Sequence, residues 1–307
     1  MVWGIYIAIY LFAAGAGAGA FLAGVAAKLW GGKSFRPLAQ SGILLGGPLV
    51  GAGMPFLILD LGIGKREPWR LFFLFFGNSG SIMTLGAWII SIFVTVALAV
   101  AFLEIDIPVP WASAAKYIAL GKARLLPHQS RLTVLAVITA FATAIYTVVL
   151  IGVIIAAPIW NSTILPVLFL TSAMSTGLAA AVVGALALNW KDRHAVEAKF
   201  PLLGQVHSAF IVLELALIFC WLYLGAVNSL SMARSVGMLT IGELAAFFWL
   251  GVILVGLVAP LAAYAYEAAR HRPIFPYATL ASDLGVLVGG FVLRYLVLAA
   301  RVPIVLS

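Results

Sequence analysis

The sequence predicts an all-α integral membrane protein with eight transmembrane helices in one bundle, and two observations predict it. Hydrophobic residues make up 64% of the 307 residues and charged residues only 9%, whereas about a quarter of the residues in a soluble domain are charged. Apolar runs of about 20 residues or more, the length that a bilayer-crossing helix needs, fill almost the whole chain. Such long runs without alternation favour helices over barrel strands, because backbone polar groups in lipid must be satisfied internally.

The eight apolar runs follow one another closely. They are predicted at about 3–27, 38–61, 79–103, 132–156, 164–190, 203–228, 239–266 and 279–300. The first run has no basic segment before it and extends through Leu29, so we expect a retained span instead of a cleaved signal peptide. Only the connection from Glu104 to Arg131 is expected to be long enough to fold separately, with a short interfacial helix around Trp111 to Leu120. We expect a single transmembrane domain over residues 1–307.

Lysines and arginines are shared unevenly between the two membrane faces. With eight spans, one face carries Lys65, Arg66, Arg70, Arg234 and Arg301, and the other basic residues outside the spans fall on the opposite face. Because cytoplasmic connections retain positive charge, we expect both termini on the outer face of a cell membrane. We therefore attribute the net charge of +8 to the basic residues of the cytoplasmic connections. These residues are spread over short loops and form no single basic patch, which argues against nucleic-acid binding.

Polar residues gather at the outer ends of the early spans. Asp60 ends the second span, Asn78 opens the third, and Trp160 and Asn161 follow the fourth. We expect them to assemble one outward-facing site. Structural roles are the alternatives: Asp60 would pair with a basic residue of the next loop, Asn78 would cap its helix, and Trp160 would anchor the interface.

Ionisable residues also occur deep in the later spans. His207 and Glu214 lie one heptad apart in the sixth span, and Asp283 and Arg294 lie eleven residues apart in the eighth. Such groups are costly in a membrane and are functional candidates. They predict either a proton path from the cytoplasm to the outer site or interhelical ion pairs, with Arg294 neutralising Glu214 or Asp283. Glu267, near a helix end, is expected to reach water.

The histidines and the single cysteine limit which cofactors the protein can hold. His128, His194 and His271 fall in or beside connections, which leaves only His207 within a span. A bis-histidine haem needs two facing imidazoles, and a cysteine-ligated cluster needs more than Cys220. We therefore expect no haem, iron–sulfur cluster or other metal site here, and any cluster must belong to a partner.

The first 180 residues carry an ordered set of short motifs. These are an aromatic, glycine-rich first helix with Tyr6, Tyr10, Gly15, Gly17 and Gly19, then Leu59-Asp60-Leu61-Gly62, then Asn78 to Trp88, and then Pro158-Ile159-Trp160-Asn161. In order and placement the pattern resembles the membrane subunit of polysulfide reductase and its relatives, the NrfD or PsrC type. The count of eight spans extends the resemblance to the whole chain.

The resemblance implies a haem-free, quinone-reactive subunit that uses menaquinone or ubiquinone. It would dock on its outer face against a separate iron–sulfur protein, which exchanges electrons with a catalytic subunit, commonly a molybdopterin enzyme. The quinone pocket would lie among the first four helices, in residues 1–160, with residues 161–307 as a second four-helix part. Tyr10 and Tyr146 correspond to the ring-contacting positions.

Neighbouring residues complete this predicted site. Tyr6 lies one turn from Tyr10 on the same helix face, although an aromatic belt explains it as well. The outer bases Lys65, Arg66 and Arg70 would meet an acidic docking surface on the partner. Two other functions stay open: a transporter or channel, for which we find no matching half, and a passive anchor without quinone chemistry.

Overall fold

Eight helices that are long and apolar enough to cross a membrane make up most of the described chain. The computed structural model describes residues 3–61, 69, 71–77, 80–105, 112–154, 156–189, 200–270 and 276–302, and these contain no strand. The spans are α1 Ile5–Trp30, α2 Arg36–Leu61, α3 Ile82–Glu104, α4 Gln129–Gly152, α5 Leu165–Leu188, α6 Phe200–Asn228, α7 with the π-bonded segment Phe247–Val258 continuing as Ala259–Arg270, and α8 Pro276–Ala299. The predicted fold class is confirmed.

The connections between spans contain short helices. Ala112–Leu125 lies in the long connection where a helix is predicted. A second helix, Leu230–Thr240, was not predicted and delays the seventh span, so the predicted start at 239 is wrong. The Ser229 side chain accepts a hydrogen bond from the backbone N–H of Met232 and so begins this helix, and a turn around Gly242 ends it. The predicted span 239–266 runs through this turn, because hydropathy averaged over many residues does not register a short turn.

Helix α1 lies at the centre of the bundle and packs against α2, α4, α5 and α8. Its contact with α5 is the tightest, because glycines face each other there. A Cβ atom on Gly19 would lie 1.9 Å from the carbonyl oxygen of Ala173, and one on Gly177 would lie 2.2 Å from the carbonyl carbon of Gly19. Only glycine allows the two backbones to approach this closely.

Contacts between side chains define the two ends of the bundle. Trp3 stacks on Trp160 with ring centroids 5.6 Å apart, and the indole N–H of Trp160 donates to the carbonyl oxygen of Val297 at 2.7 Å. The start of α1, the turn after α4 and the end of α8 therefore meet at one end, which we call the terminal end. At the opposite end, Lys28 pairs with Glu104.

Candidate functional site

Two tyrosines are buried in the first half of the bundle. Tyr10 on α1 is completely buried and Tyr146 on α4 is 4% exposed, and both belong to the same buried core. The ring of Tyr146 lies over Gly86 of α3, where a Cβ atom would come within 1.6 Å of Cζ. The hydroxyl of Tyr10 has no hydrogen-bond partner among the described residues. Since buried polar groups are nearly always paired, this pair can offer a hydrogen bond to a ligand.

A cleft opens at the terminal end, one turn beyond Tyr146. It has a volume of about 500 Å³ and is lined by Ile82 of α3, Val149 and Val153 of α4, and the Trp160–Asn161 turn, among other residues. Its size lies within the range of small-molecule sites, which run from about 300 to 1,000 Å³. Its walls are mostly apolar, as a site for a hydrophobic ring requires.

The remaining predicted residues of this site have different surroundings. Tyr6 is 43% exposed and stacks on Phe56 of α2 at 6.3 Å, and Asp60 is half-buried at the end of α2. The indole N–H of Trp160 is bonded to Val297, so Trp160 contributes ring surface to the cleft but no donor. Asn161 is exposed and donates to the carbonyl oxygen of Ile154 at 3.2 Å. Predicted residues outside the described parts of the chain are Asn78, Lys65, Arg66 and Arg70.

Three side chains form a hydrogen-bonded group between α6, α7 and α8, which we call the histidine cluster: His207, Tyr264 and Asp283. The Tyr264 hydroxyl donates to Oδ1 of Asp283 at 2.6 Å, and His207 Nδ1 lies 3.3 Å from the same oxygen. His207 Nε2 lies 2.9 Å from the carbonyl oxygen of Ser175, which can only accept. Nε2 therefore carries a hydrogen, so the contact between Nδ1 and Asp283 needs one further proton, held by either partner.

Glu267 of α7 adjoins this cluster on the side that faces the opposite end of the bundle. It is completely buried, lies one turn along α7 from Tyr264, and accepts a hydrogen bond from the Thr279 hydroxyl of α8. The expectation that Glu267 reaches water is wrong. Nearness to a helix end does not ensure exposure, because α8 covers this face of α7.

A second group, the arginine cluster, lies further towards α1 and consists of Arg294, Ser172 and Glu214. Arg294 Nη1 donates to the Ser172 hydroxyl at 3.3 Å and to the carbonyl oxygen of Gly290 at 2.8 Å. Glu214 of α6 is buried beside the Ser172 hydroxyl and the Arg294 guanidinium. Arg294 is thus associated with Glu214, whereas Asp283 faces His207 and Tyr264.

The sequence reasoning did not assign Tyr264 or Ser172 to these clusters, and it placed Glu267 in water. Tyr264 and Glu267 stand three residues apart on α7, a spacing that places both on one helix face. That spacing was the available signal. Among the residues that the structure describes, no three histidine, cysteine, aspartate or glutamate side chains gather as a metal site.

The fold and these buried groups define a multi-pass membrane protein with polar sites inside its helical bundle. The chain belongs to the polysulphide reductase NrfD family, whose model matches residues 1–305, and this membership confirms the resemblance seen in its motifs. The C subunit of polysulfide reductase from Wolinella succinogenes is 28% identical, with 98% of this chain and 94% of that protein covered. Protein NrfD of Escherichia coli is also 28% identical, over 98% of this chain and 95% of that protein. A homolog of NrfD from Haemophilus influenzae is 27% identical over 98% and 94%.

Proposed function

We propose that this protein is the quinone-reactive subunit of a multisubunit respiratory oxidoreductase in the cytoplasmic membrane. It exchanges electrons between the quinone pool, menaquinone or ubiquinone, and an iron–sulfur subunit, which passes them to or from a molybdopterin-type catalytic subunit. The observation that carries the proposal is the buried Tyr10–Tyr146 pair, with an apolar cleft that begins one turn further along α4. The name of the relative from Wolinella succinogenes, the C subunit of a reductase, supports a role within such a complex.

The residues present fit a quinone. Its ring and tail need apolar surface, which the cleft supplies, and its two carbonyl oxygens need donors, which the phenols of Tyr10 and Tyr146 supply. The hydroxyl of Tyr10, which has no hydrogen-bond partner in the described part of the chain, is the most specific sign of this fit. A bound quinone supplies the chemistry of taking up or releasing two electrons and two protons. Tyr10 and Tyr146 orient the ring by hydrogen bonds, and Trp160 and Ile82 keep water from the site.

Protons for this chemistry are proposed to come from the opposite end through the second half of the bundle. The order would be Glu267, then the histidine cluster, then the arginine cluster, which touches α1 where the Arg294 guanidinium lies 5.7 Å from the Phe12 ring. The contact of His207 Nδ1 with Asp283 Oδ1 at 3.3 Å supports this path, because both groups can bind and release a proton. Arg294 and Glu214 would set the charge at the inner end of the path.

The terminal end is proposed to face outwards, with both termini there. The basic residues that fall beyond the opposite end support this orientation through the positive-inside rule. An iron–sulfur partner would then dock at the terminal end, with Lys65, Arg66 and Arg70 as its contacts. That placement brings the partner's cluster close to the cleft.

Quinone binding by conservative variants tests the proposed site. Tyr10→Phe and Tyr146→Phe each remove one hydroxyl and retain the ring, so we expect quinone affinity of the purified complex to fall about tenfold, the loss of one hydrogen bond. Tyr223→Phe, on α6 and 61% exposed, is the matched control and should bind normally. Unchanged quinone affinity in both test variants, with subunits still assembled, would refute the Tyr10–Tyr146 site, whereas a complex that binds no quinone at all would indicate a passive anchor.

The ratio of protons taken up to electrons transferred tests the proposed path. Asp283→Asn removes the group that shares a proton with His207, so we expect reconstituted vesicles to take up fewer protons per electron from the opposite side. Glu243→Gln, exposed and outside both clusters, is the control. A normal ratio in the Asp283→Asn variant would refute the proposed proton path but would not affect the proposal of a quinone site.

A further inference from the structure

A groove on the lipid-facing surface at the opposite end of the bundle has an apolar wall and, at one end, charged residues. We call this charged end, at Lys28 and Ser130, the head of the groove. It has a volume of about 450 Å³ and lies between the end of α1 and the start of α4. Val134 and Ile138 form the exposed part of its wall, at 57% and 60% exposure, and Val25 forms its floor. From Ser130 to Ile138 the wall rises about 12 Å along α4, close to the depth of one leaflet, about 15 Å.

The head of the groove carries an excess of positive charge. Lys28 and Ser130 line it, and exposed Arg131 precedes Val134 and Ile138 by three and seven residues, which places it on the same face of α4. Glu104 pairs with Lys28 and accepts from Gln129 Nε2 at 3.0 Å. Among the described side chains at this end of the groove, the cations Lys28 and Arg131 outnumber the carboxylate of Glu104, so the excess charge is positive.

A molecule with one negative charge above a long apolar tail complements this groove. A phosphodiester carries one negative charge, and basic side chains near a membrane surface attract anionic lipids. We propose that the groove between α1 and α4 is a binding site for an anionic phospholipid, with its phosphodiester at Lys28, Ser130 and Arg131 and one acyl tail along Val134 and Ile138. The site is distinct from the Tyr10–Tyr146 pair and does not depend on quinone chemistry.

Titration of the full-length protein with phosphatidylglycerol and phosphatidylcholine, followed by native mass spectrometry, tests this site. We expect the unmodified protein to retain phosphatidylglycerol more tightly than phosphatidylcholine. Arg131→Ala should weaken phosphatidylglycerol binding about fivefold, the effect of one interfacial cation. Val134→Trp fills the groove with all charges in place and should abolish the preference.

The controls make a negative result decisive. Arg234→Ala removes an exposed cation at the terminal end, and Val212→Trp adds an indole to a 54% exposed valine of α6, so both should retain the lipid. Equal retention of the two lipids by the unmodified protein would overturn the proposal. So would phosphatidylglycerol binding that Arg131→Ala and Val134→Trp leave unchanged, or its displacement by a quinone, which would assign the groove to quinone.

Discussion

Arg294 illustrates how one buried charge is accommodated in the bundle. Its guanidinium lies between the rings of Phe12 and Phe169, 5.7 and 5.5 Å from their centroids. A Cβ atom on Gly15 would come within 2.7 Å of Nη2, so the guanidinium lies directly against the backbone of α1. Flanking rings stabilise a cation through their negative faces. The charge is thus held by Glu214, Ser172 and aromatic surface together.

Removal of Arg294 should therefore be costly. Arg294→Ala leaves Glu214 buried without its counter-charge, and we expect a loss of about 3 kcal/mol in the free energy of unfolding. Adding Glu214→Gln should recover part of this loss, because it removes the uncompensated carboxylate. Thermal unfolding in detergent measures both effects, with exposed Arg234→Ala as the control. An Arg294→Ala variant as stable as the unmodified protein would contradict the pairing.

The sequence could predict the charged members of the clusters but not their hydroxyl partners. His207, Glu214, Asp283 and Arg294 stand out because each is expensive in lipid. A hydroxyl in a helix costs little, since it can bond its own backbone, as Thr143 does to the carbonyl oxygen of Thr139. Ser172 therefore looks like any other helix residue until α6 and α8 are placed beside it.

At the scale of elements, the glycine contact between α1 and α5 determines how closely the two halves pack. Gly177→Ala would place a methyl group 2.2 Å from the backbone of Gly19, so we expect a loss of about 3 kcal/mol or failure to accumulate folded protein. Gly51→Ala on α2 is the matched control, because its methyl group would meet its nearest neighbour at 3.8 Å. Folded yield and thermal midpoint measure the difference. Equal tolerance of both changes would argue against this close approach.

The elements also show where hydropathy is a sufficient guide and where it is not. Seven of the spans match the predicted positions to within a few residues, because a bilayer fixes their length. The seventh does not, since its predicted start at 239 falls at the end of the separate helix Leu230–Thr240 and the span itself begins only after the turn around Gly242. Boundaries set by a single cap, such as Ser229, depend on local hydrogen bonds that an average over many residues does not detect.

At the scale of the whole molecule, the polar groups are arranged in sequence between the two ends. The tyrosine pair and its cleft lie towards the terminal end, the arginine cluster touches α1, and the histidine cluster with Glu267 lies towards the opposite end. This order supports the proposal that the first half binds quinone and the second half supplies protons. The order depends on several helices together, because α1, α5 and α8 contact one another only in the folded bundle.

Photolabelling of the assembled complex with a light-activated quinone analogue, mapped by peptide mass spectrometry, tests the proposed quinone site most directly. We predict that label suppressed by excess natural quinone falls on the terminal ends of α1, α3 and α4, on peptides containing Tyr10, Gly86 and Tyr146. Tyr146→Phe should reduce that label. Suppressible label confined to α6, α7 or α8, or to the groove beside Lys28, would contradict the proposed quinone site.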